Sequence, residues 1–407
     1  MIRLPNELLA MIITLLADPT LPRTKGALHA ISLVSWRLRA IVLPYLFRAT
    51  RVTCKKSLDT IQAFRTFLLG HPRIAQHVQE LRLSGSRRAW RNGPVATNLP
   101  IAQLKTILDS LPRLRKLQID HIIFVLQPMP TPTPALAAAA DVSARPSREL
   151  STLHLFAVGL SPYIFQHVLA LFTRVERIDL VRIYPLTNEP AYAPTRGDEQ
   201  VYPPLLPVVK HVRTEDVYSF ASYLMPFADE HAYVEPVTRF AFAFSEALEV
   251  RGLARYLKER GGGVERLELG FADLEFDLWE DTPNLPGPFE QLKSSFASCT
   301  ALTRIHMCMY IPNSARSYRT TFVKAVGALA GLPPHALKHL VLELIGVEHV
   351  GKTAWAKLAA VCARFENLKG VGLMNDATGA PAELSKGLRA KLEGLGVKVV
   401  PVWRESE

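Results

Sequence analysis

Leu114-Arg-Lys-Leu-Gln-Ile119 is the stretch on which the reading of this chain turns. Its apolar residues fall as h-x-x-h-x-h, and the closing alternation puts Leu117 and Ile119 on one side of an extended strand. The pattern returns at Val78-Gln-Glu-Leu-Arg-Leu83, Leu150-Ser-Thr-Leu-His-Leu155 and Val175-Glu-Arg-Ile-Asp-Leu180. It continues at Val237–Phe242, Val264–Leu269, Leu302–Met307, Leu337–Leu342 and Leu368–Leu373, with a weaker copy around Val209–Val212. Leu81, Leu117 and Leu153 recur at intervals of 36 residues, and Ile305, Leu340 and Val371 follow one another at 35 and 31. Helical patterns fill the gaps at Ile101–Leu111, Pro162–Phe172, Leu248–Arg260, Phe289–Ser298, Phe322–Leu332 and Ala354–Phe365. A period in this range marks stacked supersecondary units. One strand and one helix per unit, joined by short links, demand parallel strands with the helices outside them.

From Val78 to about Val400 the chain therefore resembles leucine-rich repeats. It departs from them where a buried Asn or Cys belongs, three residues past the last Leu of the motif. Ser86, Ile122, Val158, Ala272 and Ile345 stand there, so no asparagine ladder is expected. An ordinary doubly wound α/β domain is the competing architecture, but strand number and near-regular period favour the solenoid. Two segments interrupt the repeat, at about 127–148 and 184–207. Gln127–Pro146 is rich in Pro and Ala, and Tyr184–Pro207 carries six prolines, so both read as surface insertions.

The first fifty residues follow a different rule. Leu4-Pro-Asn-Glu-Leu-Leu-Ala-Met-Ile12 opens a helix, with Pro5 in its first turn and Glu7 near its positive end. Leu4, Leu8, Ile12 and Leu15 share one helical face, and Leu9, Ile13 and Leu16 fill the next. A second helix is expected over Leu28–Val42, ending at Pro44. So short a segment cannot bury this much apolar surface within itself. The three pieces Leu4–Ile12, Leu33-Val-Ser-Trp-Arg-Leu-Arg39 and Leu43-Pro-Tyr-Leu-Phe-Arg48 resemble the F-box of fungal proteins. That resemblance implies docking onto the Skp-type adaptor of a cullin-based SCF ubiquitin ligase. Its implied contact residues are Leu4, Pro5, Leu8, Ile12, Leu33, Val34, Trp36, Leu38, Pro44 and Tyr45. A secretory h-region is a poorer reading of Leu8–Ala17, because Glu7 interrupts its approach and no A-x-A site follows.

Composition narrows the function classes. The chain has 407 residues, 48% of them hydrophobic, and a net charge of +11. That length supports a large core and more than one domain, and the charge favours an acidic partner. No apolar run approaches the ~18 residues of a membrane helix. Cys54, Cys299, Cys308 and Cys362 form no C-x-x-C pair, and no N-x-S/T acceptor occurs. Both observations point to an intracellular address, cytoplasmic or nuclear.

Chemistry has little support in the chain. Gly346-Val-Glu-His-Val-Gly351-Lys352-Thr353 fits the phosphate-binding pattern G-x-x-x-x-G-K-[ST] and lies between a strand and a helix. Every unit here supplies that context, however, and Glu348 would repel phosphate. No G-x-S-x-G or H-E-x-x-H occurs, and no cofactor or metal is implied. A different constellation emerges when the strands are aligned. The position before each central apolar residue carries Lys116, Arg177, Arg239, Arg266 and Arg304, then His339. On neighbouring parallel strands these cations stack into a basic stripe on the concave face, with Glu176, Asp179, Glu265 and Glu268 close enough to offset them.

The expected protein is thus α/β and non-enzymatic. Residues 1–50 form an F-box-like helical segment, and 51–407 form an irregular leucine-rich-repeat solenoid. Its partners are the Skp-type adaptor with the cullin ligase core, and a protein substrate that is acidic or phosphorylated. Neither nucleic acid nor membrane is expected. A repeat scaffold without ligase association is the first alternative, and a nucleotide-binding enzyme using Lys352 the second.

Overall fold

The computed structural model describes residues 4–17, 24–54, 59–86, 97–126, 148–184, 206–217, 237–244, 247–271, 286–310, 316–345, 352–374, 390, 393–394 and 398–400. Most of the two expected insertions lies outside the described residues. Two compact units divide the chain, Met1–Glu176 with Leu186–Tyr202, and Arg177–Pro185 with Pro203–Glu407.

The first unit begins with three helices, α1 (Asn6–Leu16), α2 (Thr24–Val34) and α3 (Trp36–Arg48). Pro5 stands just before α1, and its carbonyl accepts the Leu9 N–H at 3.1 Å. The single helix expected over Leu28–Val42 is broken. Ser35 is extended (φ −160°, ψ 155°), and its Oγ accepts the Leu38 N–H at 3.2 Å. A serine that caps the following helix in this way contributes about 1 kcal/mol, enough to favour two helices over one. Beyond it α3 runs through Pro44 to Arg48 rather than stopping at the proline. Ile13, Leu28 and Val42 supply one buried residue from each helix, with Ala17, Ile31, Leu38, Ile41, Tyr45 and Leu46 packed around them.

The chain passes directly from α3 into β1 (Ala49–Thr53), a strand that the repeat pattern did not announce. After α4 (Asp59–Gly70) and α5 (Pro72–Ala75) come β2 (Glu80–Ser84), β3 (Thr97–Pro100) and α6 (Ile101–Asp109). Next are β4 (Lys116–Asp120), β5 (Ile122–Val125), β6 (Glu149–Phe156) and α7 (Pro162–Leu169). Strands β1, β2, β4 and β6 pair in that order, all parallel. Leu81, Leu117 and Leu153 are register partners, as are Leu83, Ile119 and Leu155. All six are buried. The 36-residue interval thus becomes a row of leucines, each contributing about 1.5–3 kcal/mol by burial.

A corner follows each of these strands, four residues past the central Leu. His121 and Ala157 adopt φ of 54° and 50° there, at a cost of order 1 kcal/mol each. Gly85 holds the same repeat position, and a Cβ on it would overlap the His121 carbonyl oxygen. The ladder continues through the corner, with Gly85 N–H on Asp120 O at 2.8 Å and His121 N–H on Phe156 O at 3.0 Å. Beyond it β3 and β5 form a small parallel pair. Ile122 and Val158 occupy the place of the missing asparagine ladder and are fully buried.

The second unit contains most of β7 (Arg174–Ile183), then β8 (Val208–Val217), β9 (Arg239–Phe244) and α8 (Ala247–Arg260). It continues with β10 (Arg266–Phe271), α9 (Pro288–Phe296), β11 (Arg304–Tyr310) and α10 (Arg316–Ala328). β12 (His339–Ile345), α11 (Lys352–Cys362), β13 (Val371–Met374) and β14 (Val399–Val400) complete it. The strands lie side by side in chain order, and from β8 onward every pair is parallel. Every strand expected from the repeat is present; most begin two or three residues late because the first apolar residue of h-x-x-h-x-h precedes the ladder, whereas β6, β7 and β8 begin one residue ahead of that residue. One face is buried, with Phe240, Leu267, Ile305 and Leu340 in register and Phe242, Leu269, Met307 and Leu342 two residues on. Tyr256 of α8 packs edge-on against Phe240 at 4.8 Å, and Trp355 of α11 against Phe322 of α10 at 5.8 Å. The architecture is α/β with a large parallel sheet.

Candidate protein-interaction surfaces

Two surfaces stand out, one in each unit. The first is the apolar side of the helical head. Leu33, Val34 and Trp36 are 72%, 73% and 82% exposed, around the Ser35 break. On α1, Leu8, Met11, Ile12 and Leu15 turn outward, with Leu4 and Pro5 just ahead of them. Arg37 holds the two pieces together. Its Nε donates to Asn6 Oδ1 at 2.6 Å and its Nη2 to the Leu4 carbonyl at 2.7 Å. The Arg39 guanidinium lies over the Trp36 ring, 5.1 Å from its centre.

Seven of the ten residues expected to meet an adaptor are exposed in this way. Two of the other three turn inward. Leu38 and Tyr45 pack against the head's own core, Pro44 is half-buried, and the Tyr45 hydroxyl lies 2.7 Å from Thr14 Oγ1. Met11 and Leu15 extend the outward face. Their helical spacing from Leu4 and Leu8 was the available signal. An apolar patch of this kind, on a head that already has its own buried cluster, is characteristic of an interaction surface.

The second surface is the exposed side of the sheet in the second unit. Register pairs His211 with Arg239, Arg239 with Arg266, Arg266 with Arg304, and Arg304 with His339. These five side chains form one row across five adjacent strands, and none of the row is acidic. Adjacent strands lie about 4.8 Å apart, so the row is about 19 Å long. His211 was not part of the expected stripe because β8 is the weakest copy of the motif. Two residues further along lie Arg213, Ala241, Glu268, His306 and Val341, followed by Ala243, Gly270, Cys308 and Glu343. His306 Nε2 is 3.2 Å from Glu343 Oε2. Burial, together with the charge of Glu343, pushes the Cys308 thiol up to about 11, so it is protonated at neutral pH.

The remaining members of the expected stripe, Lys116 and Arg177, have acidic neighbours of their own. Lys116 belongs to the first unit, where its register neighbours are Glu80 and Thr152 and its Nζ is 3.8 Å from Glu80 Oε1. Arg177 donates to Asp179 on its own strand at 2.9 Å. The exposed side of β2 and β4 is built around a buried carboxylate instead. Asp120 accepts from Arg82 at 2.5 Å, from Gln118 at 3.0 Å and from Ser84 at 3.1 Å.

Elsewhere the chemistry is sparse. Gly346–Gly351 of the phosphate-loop pattern lies outside the described residues, and Lys352 begins α11. Among the described residues, no cluster of three His, Cys, Asp or Glu is placed to hold a metal ion. Burial pushes the Cys299 and Cys362 thiols up to about 12. An open groove in the first unit is lined by Arg113, Arg115, Arg174, Glu149 and Glu176, a mixture of both charges. No described helix is long and apolar enough to cross a membrane. No protein-family model matches this chain, and comparison with curated proteins found no match.

Proposed function

We propose that the chain is a non-enzymatic recruiter. Its helical head docks onto the Skp-type adaptor of a cullin-based ubiquitin ligase, and its exposed sheet face holds a protein substrate. The observation that carries this reading is the outward placement of Leu33, Val34 and Trp36 beside the Leu4–Leu15 face. Covering each such side chain is worth about 1.5–3 kcal/mol, which a partner supplies and the head alone does not. Strands in chain order with a 31–36-residue period support reading the remainder as divergent leucine-rich repeats. The mechanism is proximity. A substrate held by the same chain that holds the ligase presents its lysines at high effective concentration. That role belongs in the cytoplasm or nucleus and requires neither nucleic acid nor membrane.

Co-purification with a Skp-type adaptor tests the docking. The full chain captures the adaptor, and the pair Leu8→Asp and Trp36→Ala abolishes capture while the circular dichroism spectrum is unchanged. Capture that survives both changes, or never occurs with the unaltered chain, overturns the reading. A scaffold without ligase association is the second reading. It is favoured by the passage of α3 directly into β1 and by the Phe47–Phe67 stack at 6.5 Å, which let the head cap the end of the sheet.

A further inference from the structure

We infer that the row His211, Arg239, Arg266, Arg304 and His339 is a binding site for an extended polyanionic peptide segment lying across the strands. The inference rests on the sheet face being the substrate-holding surface, and not on adaptor docking. Three arginines in register on successive parallel strands concentrate positive charge along one line. Like charges directly opposite one another cost a few tenths to about 1 kcal/mol per pair. The apolar rows on the opposite face already specify the strand register without them.

Geometry sets the form of the ligand. An extended peptide rises about 3.3 Å per residue, so about six residues span the row. Alternate side chains face the same way, so three anionic residues at every second position meet the cations. Arginine offers forked N–H donors that match carboxylate and phosphate oxygens alike. Beside the row, Ala241, Ala243 and Gly270 leave a low floor on which a peptide backbone can lie. Glu268 and Glu343 lie further along the strands. They oppose a broad phosphate backbone such as that of nucleic acid, and favour a ligand whose negative charge is confined to one line. Among the row and its described neighbours on this face up to Glu343, the rings are the imidazoles of His211, His306 and His339, with no Phe, Tyr or Trp to build a larger stacking platform.

Fluorescence anisotropy with the full chain tests the inference. The probes are labelled peptides of about ten residues carrying three glutamates, three phosphoserines or three serines at alternate positions, and a single-stranded DNA of similar length. At least one anionic peptide binds, the serine peptide does not, and binding weakens with salt. Arg266→Gln with Arg304→Gln weakens it about tenfold or more, whereas Lys116→Gln leaves it unchanged. Equal binding of glutamate and phosphoserine peptides identifies a carboxylate motif, and phosphoserine binding alone identifies a phosphorylated one. An unchanged urea midpoint shows that the double variant is folded, and Arg239→Gln provides an independent variant in the same row. Neither anionic peptide exceeding the serine control, full binding by the double variant, or tighter binding of the DNA overturns the inference. A chain that captures the adaptor but binds no anionic peptide sinks this inference alone. One that binds the peptides without capturing the adaptor sinks only the docking.

Discussion

On the exposed side of the first unit, charges meet their opposites. Lys116 faces Glu80, and Arg82, Gln118 and Ser84 converge on the buried Asp120 carboxylate. On the exposed side of the second unit, the corresponding repeat position is basic on five successive strands. Both units have the same frame of parallel strands with a buried apolar face. The difference shows that this frame is indifferent to its outward rows. The buried rows supply the stability, so the outward rows can differ between the units without altering the frame.

The sharpest way to break this comparison is Asp120→Ala. It removes the acceptor shared by three side chains and lowers stability by about 3 kcal/mol, read as the urea unfolding free energy. A loss below about 1 kcal/mol would show that the first unit's face does not depend on its internal pairing. A smaller effect should differ in sign between the units. Lys116→Glu sets two carboxylates opposite each other and costs about 0.5–1 kcal/mol. Arg239→Glu falls between His211 and Arg266 and is neutral or stabilising by a few tenths of a kcal/mol. Matching losses at both sites would remove the distinction.

The smallest effect concerns pH and belongs to the first unit. Burial holds the His167 imidazole below its ordinary value of 6.5. The unfolded chain therefore takes up that proton more readily than the folded one. The contribution of His167 is complete above about pH 6.5 and declines as the pH falls from there through the lower folded value. In His167→Gln the decline measured by thermal unfolding between neutral and mildly acid pH is shallower. An identical slope would assign the decline to other groups.

Much of the frame was legible in advance. The h-x-x-h-x-h copies located nearly every long strand, and the helical stretches between them appeared close to where their spacing put them. β1 was not legible because Thr50 stands where the central apolar residue belongs and the strand begins where a helix ends. The corners at His121 and Ala157 carry no glycine to announce a positive φ, and Gly85 alone hints at them. In the head, the outward face of α1 followed from its spacing. The inward turn of Leu38 and Tyr45 did not, because Ser35 breaks the helix and resets which face α3 presents.

For the candidate sites the division is equally clear. The sequence by itself determined the identity and spacing of the apolar and basic positions, because strand side chains alternate and the repeat sets their order. Only the tertiary structure decided which basic residues become neighbours. That depends on strand adjacency and register, and on local carboxylates such as Glu80 and Asp179 that lie far from, or close to, their partners in sequence. The same repeat position faces Glu80 at Lys116, and Arg239 and Arg304 at Arg266, because register across strands is a property of the folded sheet.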